Sequence, residues 1–206
     1  MPKPVITPKV DLITGSALTL THDENETFEG HAFKMMYEAA TAGAGEETAI
    51  GWVTPSLPTR IHLTFDAWAT DEGVLEFRED PTVVLDEGIH TNPVLNRYRG
   101  HAYTPLIIDQ DTAPGAVGQV TTYTVAQAAA AGLAIGGGVL LHHETLAVGG
   151  AAPFAAKMNT QVRGDRKWLL LPDTEYVVII TTSAVGGATN QIVLHWHEHI
   201  SGDYAN

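Results

Sequence analysis

Arg60-Ile-His-Leu-Thr-Phe-Asp-Ala-Trp-Ala69 alternates without interruption: Ile61, Leu63, Phe65, Ala67 and Ala69 share one side, and Arg60, His62, Thr64, Asp66 and Trp68 share the other. Successive side chains of an extended backbone point to opposite faces, so this stretch predicts a strand with one dry and one mostly polar face. Shorter runs of the same kind surround it. Ala17–Thr21, Ala32–Glu38 and Ala49–Val53 precede it, and Val74–Arg78 and Gly100–Thr104 follow. Turn signals separate them at Asp71-Glu-Gly73, Asp80-Pro81, Asp86-Glu-Gly88 and Asn92-Pro93.

Towards the C-terminus the runs become stronger. Val139–Leu146, Lys167–Leu171 and Glu175–Thr182 read as strands, and the last is apolar on both faces, which places it centrally in a sheet. The final run, Gln191-Ile-Val-Leu-His-Trp-His-Glu-His199, sends Ile192, Leu194 and Trp196 one way and Val193, His195, His197 and His199 the other. Between Asp109 and Gly138 the regularity lapses into a long excursion. It holds one possible strand, Gln119–Thr124, and an alanine-rich stretch, Val125–Ala131, suited to one or two helical turns. About ten short β runs with little helix predict an all-β, jelly-roll-like antiparallel β-sandwich with one long inserted loop.

Pro2, Pro4 and Pro8 each fix φ and remove a backbone donor, so the first residues predict an extended N-terminal arm, 1–16, ahead of a single sandwich domain, 17–206. Lys3 and Lys9 make that arm basic on an acidic chain, which leaves two readings open, a frayed terminus or an arm that lies along a neighbouring acidic subunit and orders only there. The 206 residues allow one sizeable core, and 44% hydrophobic against 17% charged residues is a folding composition. With 24 Asp and Glu against 11 Lys and Arg, the net charge of -13 repels phosphate backbones and argues against nucleic-acid partners. There is no cysteine, hence no disulfide, thiolate metal site or cysteine nucleophile. The N-terminus lacks the apolar core of a signal peptide, and no stretch approaches the roughly 18 apolar residues of a membrane helix. A soluble, cytoplasmically synthesised product without membrane partners is therefore expected.

Ten histidines invite a test for metal chemistry. His195 and His197 lie two apart on one face, close enough to share an ion if His62, His142 or His143 supplied a third ligand. The pair lacks the following glutamate of a cupin motif, and no room remains after it for that fold's second motif. A histidine-rich polar face on an exposed or inter-subunit sheet surface is the preferred reading, and at a subunit interface imidazole protonation would make it pH-sensitive. No Gly-x-Ser-x-Gly is present, and Gly136-Gly-Gly138 is not followed by the Lys-Ser/Thr of a phosphate loop. The acidic pairs sit in turns as solvated charge. No catalytic residue, metal or cofactor is assigned. Asn96-Arg-Tyr-Arg99 is a basic and aromatic cluster on an arginine-poor chain, suited to bidentate carboxylate contacts and stacking. The interface candidates are thus Lys3, Lys9, Asn96, Arg97, Tyr98, Arg99, His195, His197 and His199.

One order of features resembles a group of tailed-bacteriophage virion proteins. Arg78-Glu-Asp-Pro-Thr-Val83 is followed by Asn96-Arg-Tyr-Arg99, a long loop, Leu170-Leu-Pro-Asp-Thr-Glu-Tyr176 and a last strand ending Trp196-His-Glu-His199. The resemblance spans roughly Phe28 to His199 and rests on short motifs of structural residues. It implies a head decoration or cement protein, a homotrimer that binds the major capsid protein on the outer capsid surface and bridges capsomers. A tail, fibre or glycan-binding receptor module is the alternative, and a metal-dependent jelly-roll enzyme a more distant one.

Overall fold

The alternation of the Arg60 segment is realised as a strand at the centre of a two-layer β structure. The computed structural model describes residues 9–10, 17–18, 31–82, 87–91, 95–97, 103–110, 115–131, 137–146, 160–161 and 167–200. Along the chain its strands are β1 (Lys9–Val10), β2 (Ala17–Leu18), β3 (Ala32–Ala40), β4 (Glu47–Val53), β5 (Thr59–Ala69), β6 (Gly73–Glu79), β7 (Ile89–Thr91), β8 (Leu95–Asn96) and β9 (Val120–Tyr123). After helix α1 (Val125–Ala131) follow β10 (Val139–Leu146), β11 (Thr160–Gln161), β12 (Trp168–Leu169), β13 (Glu175–Thr182) and β14 (Thr189–Ile200).

A front sheet runs β11-β5-β14-β3-β8, with β12 also paired to β5, and a back sheet runs β10-β6-β13-β4-β9-β7. All the pairings are antiparallel. The chain passes from β3 in front to β4 behind, to β5 in front and β6 behind, and it closes with β13 behind and β14 in front. Without the insertion that carries β7, β8 and β9, four strand positions face four, connected as in a jelly roll. β1 and β2 pair only with each other, Lys9 opposite Leu18 and Val10 opposite Ala17. The rest of the N-terminal arm, with Lys3, lies outside the described residues.

The core is the dry face of each sheet. Phe33, Met35, Ile61, Leu63, Phe65, Ile192, Leu194 and Trp196 meet Ile50, Trp52, Leu75, Phe77, Tyr176, Val178 and Ile180. Phe65 packs edge-on against Phe77 across the layers at 5.3 Å, and Trp52, Tyr176 and Phe77 stack on one another, Trp52 lying 6.2 Å from Phe77 and 6.0 Å from Tyr176. Each such ring removes a large apolar area from water. Strand β13 is central, between β4 and β6, as its two apolar faces require. Its outward residues Val177 and Ile179 form a second small core with Ala49, Tyr123 and Ala128 of α1. The excursion after Asp109 therefore covers the outer side of the back sheet. At the helix start Gln127 Oε1 accepts from both the Thr124 amide at 2.9 Å and the Thr124 hydroxyl at 2.7 Å.

No strand forms at Tyr103 and Thr104, where alternation had predicted one over Gly100–Thr104; residues 100–102 lie outside the described set. The amides of Leu106 and Ile107, which follow, are taken by the Glu198 carboxylate instead of a strand partner. From there the segment crosses to the back sheet, where Ile108 and Val53 exchange backbone hydrogen bonds at 2.7 and 2.9 Å. Among the described residues no helix is long and apolar enough to cross a membrane.

Candidate functional site

The outer face of the front sheet gathers the sequence-derived candidates. Residues directly opposite in an antiparallel pair share a face, so register alone maps this surface. One row reads Leu95, Lys34, His195, Thr64, and the next reads Ala32, His197, His62, Leu169. Met36, Val193 and Asp66 form a row on one side of these, and His199 and Arg60 pair on the other. The three histidines of β14 thus stand in one column, joined by His62 of β5.

Burial divides that column. His197 and His199 are buried within the chain although they face outward, whereas His195 is partly exposed. The His62 and His199 rings touch, with centroids 4.6 Å apart. His195 Nε2 lies 3.6 Å from Asp66 Oδ2. Burial holds the His195 imidazole below its ordinary value; Asp66 opposes this, and Lys34 and Arg97 add to the lowering. The neutral form of His195 is thereby favoured, and Lys34, Arg60 and Arg97 bring positive charge to this face.

The basic cluster comes to the same edge. Asn96 pairs with Phe33, and the Arg97 amide donates to the Ala32 carbonyl at 2.8 Å, which sets Arg97 alongside the Ala32–His197 row. Lys9 lies in β1, and Tyr98 and Arg99 fall outside the described residues. His142 and His143, considered as partners for His195 and His197, belong to β10 at the far edge of the back sheet, where His142 pairs with Phe77 and lies 3.4 Å from Glu144. Among the described residues no group of three His, Cys, Asp or Glu is placed to hold a metal ion.

Apolar side chains interrupt the polar rows. Met36 is 55% exposed, Leu95 49% and Leu169 53%, all on the outer face by register. None of the three was singled out from sequence. Their outward position could have been read for Met36, since Met36 alternates with Met35 and Tyr37 of the core face. Leu95 and Leu169 lie on strands of two residues, too short to show a period. The resulting surface sets exposed apolar side chains among lysine, arginine, aspartate and imidazole. That composition suits contact with another macromolecule better than enclosure of a small substrate.

Comparison with protein-family models, with curated proteins and with solved structures found no match to this chain.

Proposed function

We propose that the chain is a structural virion protein of the capsid-decoration or cement type, a homotrimer that binds the major capsid protein on the outer surface of the head and bridges capsomers. The observation that carries this reading is the outer face of the front sheet, where exposed Met36, Leu95 and Leu169 sit among Lys34, Arg97, Asp66 and His195. Exposed apolar side chains ringed by charge mark protein contact surfaces. The jelly-roll connectivity and the resemblance in the Leu170–Tyr176 and Trp196–His199 segments agree with that role. Its mechanism is mechanical: repeated contacts through a symmetric oligomer add buried area and avidity across capsomer boundaries.

The test is co-sedimentation of the purified chain with heads that lack it. The double variant Met36→Asp, Leu95→Asp alters only exposed positions, so it should keep its fold and lose binding by about tenfold or more. Full binding by that variant, or a monomeric mass by light scattering, contradicts this assignment.

A further inference from the structure

At the end of the sandwich where the insertion crosses between sheets lies a cavity of about 160 Å³, lined by His31, Phe33, Thr59, Tyr103, Thr104, Leu106 and Glu198. Phe33, Thr59 and Glu198 are its buried floor, and Tyr103, Thr104 and Leu106 are exposed at its mouth. A cavity of roughly 150 Å³ is large enough for a benzene-sized guest.

Glu198 is a charged group in an unusual position, because it shares the core-facing side of β14 with Trp196 and is only 5% exposed. Its Oε1 is crowded, accepting from the Leu106 amide at 2.9 Å, the Ile107 amide at 3.2 Å and the Trp196 indole at 3.0 Å. Its Oε2 accepts from the Leu106 amide at 2.8 Å, which leaves that oxygen acceptor capacity. Every one of these donors is neutral, and among the described residues that line the cavity there is no lysine or arginine. Three aromatic rings stand in the same wall: Phe33, Tyr103 and His31, the last two in edge contact at 4.8 Å.

We propose that this cavity binds a primary ammonium group carried on a short alkyl stem, with Glu198 Oε2 as its counter-charge and the aromatic wall packing its stem. A compact ammonium needs one open oxygen and benefits from neighbouring rings. A guanidinium, by contrast, prefers both carboxylate oxygens in a fork, and Oε1 is already occupied. The inference stands apart from the capsid assignment and does not depend on it.

Burial raises Glu198 to about 7, against the lowering by Trp196, Leu106 and Ile107. The carboxylate is thus charged at pH 8 and mostly neutral at pH 5.5. Among the described residues, the titratable groups facing it across the cavity are His31, ahead of β3, and Tyr103, on the insertion; β5 contributes Thr59.

The experiment is an NMR titration of the full chain at pH 8 with n-butylammonium, read at the Leu106 and Ile107 amides and the Trp196 indole proton, with n-butanol as the neutral control. Saturable shifts with the amine alone, weakened severalfold at pH 5.5, are expected. Tyr103→Ala, at an exposed position, should weaken binding about two- to fivefold, and Glu198→Gln should abolish it. A synthetic peptide of residues 1–10, set against the same peptide with Lys3 and Lys9 replaced by glutamine, tells a lysine side chain from a free amine as the natural source. Tighter binding of the lysine peptide assigns the site to protein contact, and tighter binding of n-butylammonium assigns it to a small molecule. No saturation with either, equal shifts with n-butanol, or unchanged affinity in a folded Glu198→Gln variant overturns the proposal.

Discussion

The hydroxyl of Tyr176 donates to Glu79 Oε2 at 2.7 Å and accepts from the Leu171 amide at 2.9 Å. It therefore ties the start of β13 both to β6 and to the turn that precedes it. Thr54 reinforces that turn from β4's end, donating to the Leu171 carbonyl at 2.6 Å and receiving the Thr174 amide at 3.0 Å. Tyr176→Phe keeps the ring stacked on Trp52 but leaves the Leu171 amide and Glu79 without this partner. A loss of about 1–2 kcal/mol in urea unfolding is expected, with capsid binding by the folded protein unchanged. An equal loss of binding would move this motif from architecture to contact.

The same residues explain what was legible in advance. Leu170-Leu-Pro-Asp-Thr-Glu-Tyr176, which carries much of the resemblance to phage virion proteins, is a turn closed by its own tyrosine hydroxyl, so its spacing reports a fold requirement. Strands β5, β13 and β14 were readable because each has enough residues to display a period or a continuous apolar run. β7, β8 and β11 were not: with two or three residues each, they are held by the edges they join. The histidine column follows from period two, but the burial of His197 and His199 depends on what lies over the sheet, which alternation does not encode. Glu198 was open to the same reading, since period two puts it on the side of Trp196 and hence makes it a buried carboxylate.

Two buried carboxylates make stability depend on pH in an unusual sense. Glu47 and Glu198 are each raised to about 7, mainly by burial, from an ordinary value of 4.5. Between those values the folded chain binds more protons than the unfolded one, so stability falls as pH rises through this window. His195 acts in the opposite sense, since its lowered value makes the unfolded chain bind more protons as pH falls below 6.5. Glu175, also raised by burial, acts with Glu47 and Glu198, and these three against one imidazole favour greater urea resistance at pH 5.5 than at pH 8. Glu47 Oε1 has a 3.4 Å contact from Thr181, while Oε2 is buried with no hydrogen bond. Glu47→Gln should gain roughly 1–3 kcal/mol at pH 8 and little at pH 5.5. A pH dependence identical to that of the parent chain would refute the assignment to Glu47.

Helix α1 offers a local test of how the insertion is anchored. Thr124→Ala removes the hydroxyl that engages Gln127 at the helix start and should cost about 1 kcal/mol. Faster hydrogen exchange is expected at Ala128, whose amide bonds the Thr124 carbonyl at 2.8 Å. Protection at Phe65 and Leu194 in the front sheet should be unchanged; faster exchange there as well would mean that the helix is part of the global unfolding unit.

Gly51 decides whether the insertion can lie flat on the back sheet. It sits on the outer side of β4, between Val177 and Thr121, and the buried Gln110 carboxamide rests against its backbone. A Cβ at this position would overlap Gln110, so Gly51→Ala must expel that side chain. Alanine itself is better suited than glycine to a strand by about 0.5–1 kcal/mol, and the Gln110 carboxamide makes no hydrogen bond where it is buried. The sandwich should therefore survive the change while the segment around Ile108 loosens. Exchange at Ile108 and Val53, which bond each other, should accelerate, and exchange at Ile179 should not. Adding Gln110→Ala removes the overlap and should restore protection at Ile108. If Gly51→Ala alone leaves Ile108 protected, the close packing of Gln110 on Gly51 is not what seats the insertion.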